Sequence, residues 1–332
     1  MSKRRVKSFS DKTKGLVSIN RKVVAYSSHR ANEYDMMSRI KEGVNHIFRW
    51  FSKLIKGMIN LILTLILIGV CIYIDARYIE PKLLWVKEEQ VITQKLSSNT
   101  QLKVVLFNDV HLGEYYSLED FKKIIKKINA QNPDVIIFAG DLVEDNKTFT
   151  DEEGATLLLA ELKATYGKYA VYGNHDHGGN GTRRYAKMMK NSGFTLLKDQ
   201  NETITLANGE QIKIIGIDDI VLSKPKFDEA FVGVDANTFN LFISHAPDVI
   251  KYVKEQPIDL QVSGHSHGGQ VRLPLIGAPF TVPFGEKYIK GFYQPDEKED
   301  MLLYVNSGIG MSKLPYRFLN LPEITVFTIK GD

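Results

Sequence analysis

The feature that most constrains this chain is an uncharged apolar run of 17 residues, MINLILTLILIGVCIYI, from Met58 to Ile74. As a helix with a rise of about 1.5 Å per residue it would be roughly 26 Å long, close to the thickness of a bilayer's hydrocarbon core. A buried core helix is the weaker alternative, since few soluble helices are apolar on every face. A cleaved signal peptide is disfavoured because the run begins late and no small-x-small site follows it. The run therefore predicts one transmembrane anchor over residues 57–75.

Charge is distributed unevenly on the two sides of this run. Residues 1–56 carry 14 Lys and Arg against 4 Asp and Glu, so the remainder of the chain, whose total is +4, sums to −6. Positively charged flanks stay in the cytoplasm, which predicts a single-pass protein of the cell membrane with a cytoplasmic N-terminus and an extracytoplasmic domain. The acidic domain argues against nucleic acid as a partner.

The first 56 residues form a basic cytoplasmic tail in this interpretation. Residues 1–30 are rich in Lys, Arg and Ser, which predicts a mobile tail. Residues 36–58 place apolar side chains at spacings of three and four, which predicts an amphipathic helix. Such a helix can lie on the anionic inner leaflet or pair with a second copy of itself, and the sequence leaves both open.

Residues 82–332 have the pattern of one α/β domain. Strand-like runs at 102–107 and 134–139 enclose a helical period at 117–130, which is a βαβ unit. Asn208-Gly209 predicts a hairpin turn between TITL and EQIKIIG. Further strands are predicted at 168–172, 239–244, 259–263, 301–305 and 323–329. The single cysteine, Cys71, excludes a disulfide framework and a thiolate metal cluster.

Five strand-like runs end in residues that can bind metal. These residues are Asp109 and His111, Asp141, Asn174 with His175 and Asp176, His245, and His265 with His267. Because ligands bind at the carboxyl ends of strands in open α/β sheets, the five motifs are expected at one edge. Residues spaced i, i+2 at a strand end project to the same side, which brings both members of the Asp109/His111 pair to the site. The same applies to His265/His267.

In this order the motifs DVH, GD, GNHD, SH and GHSH resemble the signature of the calcineurin-like metallophosphoesterases. The resemblance covers nearly all of residues 102–329, and GHSHGGQVRLPLIGAP is similar to a membrane-linked or exported bacterial branch. It implies an α/β sandwich of two mixed β-sheets flanked by helices, here preceded by one transmembrane helix. One departure is Asn108, where a Ser is common. A tyrosinate ligand, as in purple acid phosphatases, is disfavoured because Glu144 stands at the corresponding position.

The resemblance also implies a binuclear centre of two divalent cations, with Mn²⁺ as the first choice and Fe²⁺ or Zn²⁺ as alternatives. One cation would be held by Asp109, His111 and His267. The other would be held by Asn174, His245 and His265. Asp141 would bridge the two cations. His175 resembles the family histidine that assists the leaving group, and Asp176 would orient it.

The function implied is a membrane-anchored phosphohydrolase that cleaves a phosphoester or pyrophosphate by attack of a hydroxide bridging the metals. Its substrate would be a phosphorylated small molecule or a lipid-linked component of the cell envelope. A phosphodiesterase acting on nucleotides and a non-catalytic membrane scaffold are the alternatives; a scaffold would usually lack a ligand residue.

Residues outside the ligand motifs are harder to interpret from sequence. Candidates for contact with phosphate are Arg183, Arg184, Arg272 and Arg317, although arginines are ordinarily surface residues. The stretch from Leu275 to Phe292 is either an apolar wall facing a lipid or part of the core.

Overall fold

A computed structural model describes residues 4–295 and 300–332, with side chains described from residue 14 onward. The chain divides into two units, Met1–Cys71 and Ile72–Asp332.

One helix, α1 (Arg4–Ile74), accounts for the first unit. Helix can continue this far because no proline occurs before Pro81. The segment predicted as a mobile tail, residues 1–30, is helical from Arg4 onward, and residues 1–3 lie outside the described residues. By length and composition α1 includes a segment able to cross a bilayer; its most apolar window of 18 residues has a mean hydropathy of 2.5 and is 0% buried. That exposure contradicts the alternative of a buried core helix.

The second unit begins with a π-helical turn, Asp75–Ile79, and a 3-10 turn, Glu80–Lys82. In the described part of the chain its strands are β1 (Trp85–Thr93), β2 (Gln101–Phe107), β3 (Val135–Phe138), β4 (Lys168–Ala170), β5 (Thr195–Leu196), β6 (Gln200–Thr205), β7 (Gln211–Gly216), β8 (Phe239–Ile243), β9 (Leu260–Ser263), β10 (Gly291–Tyr293), β11 (Leu302–Val305) and β12 (Glu323–Gly331). Its α-helices there are α2 (Leu118–Asn129), α3 (Glu152–Ala160), α4 (Asn174–His177), α5 (Thr182–Asn191), α6 (Phe227–Ala230) and α7 (Ile250–Val253).

The strands form two mixed six-stranded sheets with the orders β1-β12-β2-β3-β4-β5 and β10-β11-β9-β8-β7-β6. In the first sheet β2, β3, β4 and β5 are parallel neighbours. In the second sheet β7, β8, β9 and β11 are parallel neighbours. Parallel strands covered on both faces read as continuous apolar runs, as β3 does, and β8 is likewise buried throughout, with Asn240 as its one polar residue. The predicted α/β sandwich of two mixed sheets is confirmed, and so is the hairpin at Asn208-Gly209, which joins β6 to β7.

The core consists of three apolar layers. One lies between the first sheet and helices α2, α3 and α5, the second lies between the two sheets, and the third covers the outer face of the second sheet. Helix α2 shows how the sequence produces this packing: the Ser117 hydroxyl accepts a hydrogen bond from the Asp120 N–H as an N-cap. Its apolar residues then recur at helical spacing and are buried against the sheet.

Candidate metal centre

The five metal-binding motifs all follow parallel strands at their carboxyl ends. The first sheet supplies three of them, after β2, β3 and β4, and the second sheet supplies two, after β8 and β9. The two sheets face each other across the central apolar layer, so the motifs meet at one edge of the sandwich. Among the described residues, three groups have possible ligand atoms within 4.8 Å of one another: a first group of Asp109, His111 and His267, a second group of Asp141, His245 and His265, and a third of His111, Glu144 and His175.

The first group, Asp109, His111 and His267, is fully buried or nearly so. The Nε2 atoms of His111 and His267 are 3.0 Å apart. The Oδ1 atom of Asp109 lies 3.7 Å from His111 Nε2 and 3.5 Å from His267 Nε2. Three potential ligand atoms therefore surround one point, as a bound cation requires.

The second group, Asp141, His245 and His265, is also buried. Nε2 of His245 lies 3.2 Å from Nδ1 of His265 and 3.2 Å from Oδ2 of Asp141. The same Asp141 oxygen is 3.6 Å from His111 Nε2 in the first group. Asp141 thus stands between the two groups, where a single carboxylate can serve both.

Several buried polar atoms at this edge have no hydrogen-bond partner among the described residues. Two of them are Oδ1 of Asp109 and Oδ1 of Asn174, an oxygen from each of two predicted ligand residues. A buried oxygen without a partner is costly, whereas a cation would satisfy it. The donor set of imidazole nitrogens and hard oxygens, without thiolate, suits Mn²⁺, Fe²⁺ or Zn²⁺. The residues present therefore fit the binuclear centre.

Backbone conformation explains how the side chains converge. Five of the seven predicted ligands have positive φ angles, namely Asp109 (50°), His111 (49°), Asp141 (60°), His265 (66°) and His267 (51°). Asp and His adopt this left-handed region more readily than most residues, yet the conformation still costs about 1 kcal/mol or more at each position. The i, i+2 pairs do reach the same site, but they do so through left-handed turns rather than through strand alternation.

Close approach of the chain at two glycines brings the motifs together. A Cβ on Gly173 would lie 2.2 Å from Oδ1 of Asp141, and a Cβ on Gly264 would lie 2.1 Å from Nδ2 of Asn108. Asn108, the departure from the family pattern, is itself buried and donates to Oδ2 of Asp109. The N–H of His265 donates to the same oxygen at 2.9 Å. With Oδ2 held in this way, Oδ1 of Asp109 is left to face the cluster.

Glu144, which the sequence analysis considered only as a missing tyrosinate, supports two histidines of the site. Its Oε2 lies 2.5 Å from Nδ1 of His111, and its backbone carbonyl lies 2.6 Å from Nδ1 of His175. Its Oε1 accepts from Ser312 and Lys313 at 3.1 Å. A carboxylate behind a ligand imidazole fixes its orientation and raises its basicity. No sequence signal identified this role, because it depends on contacts between distant segments.

His175 lines the cavity at the site, and its ring lies 4.7 Å from the ring of His111. Asp176 was predicted to orient it, but the Asp176 carboxylate accepts from the N–H groups of Asp141, Leu142 and Gly173 at 2.8 to 3.0 Å. The orienting contact of the His175 ring comes from Glu144 instead. Asp176 holds the two turns that carry Asp141 and Asn174.

The charges of the cluster shift its pKa values in opposite directions. Burial alone would lower the pKa of His111, but the carboxylates of Asp109 and Glu144 raise it to about 10. Burial lowers the pKa of His267 to about 3. The two facing nitrogens can therefore share one proton at neutral pH, and a bound cation would replace that proton. Burial and the negative charge of Asp141 raise the pKa of Asp176 to about 7.

The four candidate arginines have different roles. Arg317 is fully buried, contrary to the surface position considered for it, and its guanidinium donates to the carbonyls of Ser307, Gly308, Gly310 and Asn320. The Arg184 guanidinium donates hydrogen bonds to the carbonyls of Asn146 and Phe149. Arg272 bonds the Gly268 carbonyl at 2.9 Å, and Arg183 is exposed.

Several known proteins are similar to this chain. Residues 102–269 match the family model described as calcineurin-like phosphoesterase. The uncharacterised metallophosphoesterase YkuE of Bacillus subtilis (strain 168) is 39% identical over 257 residues, which cover 77% of this chain and 89% of that protein. The phosphodiesterase YaeI of Escherichia coli (strain K12) is 29% identical over 231 residues, covering 68% of this chain and 82% of that protein. A solved structure, TT1561 of Thermus thermophilus, is 12% identical with a TM-score of 0.42 over 63% of this chain and 91% of its own.

The chain belongs to the calcineurin-like phosphoesterase family. It is a metal-dependent phosphoesterase, and members of this family use a binuclear centre of divalent metals.

Proposed function

We propose that this phosphoesterase is anchored in the cell membrane by the run from Met58 to Ile74 and cleaves a phosphoester or pyrophosphate outside the cytoplasm. Its substrate is a phosphorylated small molecule or a lipid-linked component of the cell envelope. The observation that carries the chemistry is the pair of buried ligand groups with Asp141 between them.

The proposed centre contains two divalent cations, with Mn²⁺ as the first choice. Asp109, His111 and His267 hold one of them, and Asn174, His245 and His265 hold the other. When bound, the pair activates a water molecule and neutralises the charge of the phosphoryl group. The oxygens of Asp109 and Asn174 support this assignment, because each is buried without a hydrogen-bond partner among the described residues and a cation would satisfy it.

His175 assists the leaving group in this mechanism. Its Nδ1 faces the Glu144 carbonyl, which can only accept, so Nδ1 carries a proton. Nε2 is then a donor only when the ring is positively charged, and that is the form that can protonate a departing oxygen. Asp176 acts indirectly, through the backbone groups that position Asp141 and Asn174.

A non-catalytic scaffold is disfavoured because all seven ligand positions are present. A nucleotide phosphodiesterase remains the second candidate, and the name of the Escherichia coli relative favours diester chemistry. Hydrolysis by the full chain in detergent would separate the candidates when tested on phosphomonoesters, phosphodiesters, nucleotide diesters and lipid pyrophosphates.

The test of the metal centre is removal and reconstitution. We expect chelated protein to be inactive and to regain activity with Mn²⁺, with two metals per chain by elemental analysis. Full activity in a sample shown to be free of metal would contradict the proposal.

The test of topology uses protease added to intact spheroplasts. We expect the phosphoesterase domain to be degraded and the N-terminal region to be spared. Protection of the domain would reverse the proposed orientation without affecting the chemistry.

A further inference from the structure

A hairpin beside the metal centre presents apolar side chains to solvent. Backbone hydrogen bonds of 2.8 and 2.9 Å join Leu273 to Gly277 and close a tight turn. The residues at its tip, Leu275 and Ile276, have relative exposures of 108% and 70%. Leu275 also has a φ of +66°, in the left-handed region that Gly and Asn adopt more readily than Leu. Neither folding nor solubility explains an exposed leucine in that conformation.

Three more exposed apolar residues continue this surface, which we call the apolar lip: Leu275, Ile276, Phe280, Leu314 and Leu319. Phe280 and Leu314 line the same cavity of about 480 Å³ that contains Asp141, His175 and His265. Two hydrogen bonds join the hairpin to the segment that carries Leu314 and Leu319. The Arg272 N–H donates to the Phe318 carbonyl, and the Gln270 side chain donates to the Leu314 carbonyl. Leu319, like Leu275, combines exposure with a positive φ, here +52°. Phe280 and Leu314 therefore belong to the wall of the catalytic cavity, whereas the side chains of Leu275 and Ile276 lie outside that wall.

The lip adjoins the end of the apolar run within the second unit. The ring of Tyr316 lies 6.0 Å from the ring of Tyr73, which is in the run. The N–H of Arg317 donates to the Ala76 carbonyl at 2.9 Å, and the N–H of Leu319 donates to the Glu80 carboxylate at 2.8 Å. The end of a membrane-spanning run lies at the bilayer interface. Through these contacts the segment of residues 316–319, which carries one lip residue, packs against residues at or just after the end of the apolar run.

The positive charge near the lip complements an anionic membrane surface. Residues 269–284 and 307–322 contain no Asp or Glu, whereas Arg272 and Lys313 lie among their apolar residues. Apolar side chains with interspersed cations are typical of segments that bind anionic bilayer surfaces.

We propose that the apolar lip inserts into the interface of the bilayer that holds the apolar run, so that the catalytic cavity opens at the membrane surface and accepts an amphiphilic phosphoester. The inference rests on the proposed function, both its membrane anchor and its phosphoesterase chemistry. It assigns the substrate's phosphate to the metal centre and its apolar chain to the side of Phe280 and Leu314.

Insertion is tested with a fluorescent label on the full chain. In a Cys71→Ser background, Ile276→Cys carries an environment-sensitive dye, and the protein is reconstituted into vesicles of phosphatidylethanolamine and phosphatidylglycerol. Nitroxide-labelled lipids in the same vesicles should quench this dye. The matched control is Leu157→Cys, because Leu157 is 62% exposed but lies on α3, which packs on α2 and α5.

Stronger quenching at position 276 than at position 157 supports insertion. Equal quenching at the two positions, whether weak or strong, overturns it. A shielded dye that lipid nitroxides do not reach also overturns it, because that result assigns the lip to a second copy of the chain.

The consequence for substrates is tested with a double variant, Leu275→Ser and Ile276→Ser, whose side chains do not line the cavity. Hydrolysis of hexadecyl p-nitrophenyl phosphate in vesicles should fall about tenfold or more, because the variant loses two apolar side chains that would be buried in the bilayer interface. Hydrolysis of soluble bis(p-nitrophenyl) phosphate should not change. Unchanged hydrolysis of the vesicle substrate overturns the role of the lip. If the unaltered chain with Mn²⁺ cleaves neither compound, the proposed function fails, and the quenching result still decides whether the lip inserts.

Discussion

The two ligand groups of the metal centre differ in what holds their imidazole rings. In the first group, Nδ1 of His111 faces the carboxylate of Glu144 at 2.5 Å. In the second group, His245 and His265 each direct their remote nitrogen at a backbone carbonyl, that of Ala139 at 2.7 Å and that of Pro283 at 2.8 Å. A carboxylate makes an imidazole a stronger donor than a neutral carbonyl does.

The groups also differ in charge. Asp109 belongs to the first group alone, whereas in the proposed assignment the second cation takes its own oxygen ligand from the neutral amide of Asn174, and Asp141 would serve both cations. Both differences would favour tighter cation binding at the first group. We therefore expect two metals of unequal affinity, the second being lost first on dilution or mild chelation.

The largest effect is expected for Asp141→Asn, which removes the charge that the two groups share. Because both cations would be weakened at once, hydrolysis should fall by about 10⁴-fold or more, a larger loss than for any single terminal histidine. Metal content by elemental analysis should drop at both positions. Asp228→Asn, at an exposed carboxylate on α6, is the matched control and should change neither quantity.

His175→Ala should leave both metals in place, since His175 is not one of the seven predicted ligands, although its ring forms a third group of possible ligand atoms with His111 and Glu144. Loss of the proton donor should reduce hydrolysis of alkyl esters by about 10²–10⁴-fold and that of nitrophenyl esters distinctly less, because nitrophenolate leaves without assistance. The measurement is kcat on both esters together with metal content. Equal losses on both esters would mean that His175 positions the phosphate, and loss of one metal would make it a ligand.

Glu144→Gln tests the comparison most directly, because it makes the support of His111 resemble that of His245. Metal affinity at the first group should fall by about 10–100-fold while the second is little changed. In a Mn²⁺ titration followed by calorimetry, the affinities of the two groups should become more nearly equal than in the unaltered chain. Glu153→Gln, an exposed position on α3, is the control, and unchanged affinities in Glu144→Gln would remove the explanation offered for the asymmetry.

A smaller effect is expected for Glu80→Gln. The buried Glu80 carboxylate accepts from the N–H groups of Leu319 and Asn320, and the Asn320 side chain donates to the His267 carbonyl at 2.5 Å. Loss of this charge should lower the free energy of unfolding by about 1–2 kcal/mol, since hydrogen bonds to charged groups contribute about that much. It should also weaken the first group a few-fold. Thermal unfolding with and without Mn²⁺ measures the loss of stability and the loss of metal affinity. An effect on the second group alone would refute the proposed link from Glu80 through Asn320 to His267.

The location of the candidate site could be predicted because it depends only on short stretches of sequence. An apolar run of four to seven residues predicts a buried strand, and a polar residue at its end must appear at the sheet edge. This rule by itself brings Asp109, Asp141, His245 and His265 together. The family resemblance implied the two mixed sheets, and Asn208-Gly209 predicted the hairpin between β6 and β7.

What the sequence could not predict depends on contacts between distant segments. The Glu144 carboxylate reaches His111 from a loop after β3. The buried Arg317 guanidinium donates hydrogen bonds to the backbone carbonyls of four different residues. The left-handed turns at the ligands were not predicted either, because the surrounding packing stabilises a conformation that no local pattern favours. The stretch from Leu275 to Phe292 proved to be divided: Leu275 and Phe280 are exposed, whereas Tyr288 is buried in the third core layer.

The junction that follows the apolar run has a consequence for where this enzyme can work. Proteases that release ectodomains cut exposed, flexible stalks, but here a π-helical turn and a 3-10 turn lead towards β1, and Ala76, Glu80 and Pro81 are buried. Cutting the chain there would require opening the contacts through which Glu80 and Asn320 hold the backbone of His267. If the chain is anchored as proposed, shedding would therefore damage the enzyme that it released, and hydrolysis would stay confined to the surface of the membrane that holds the anchor.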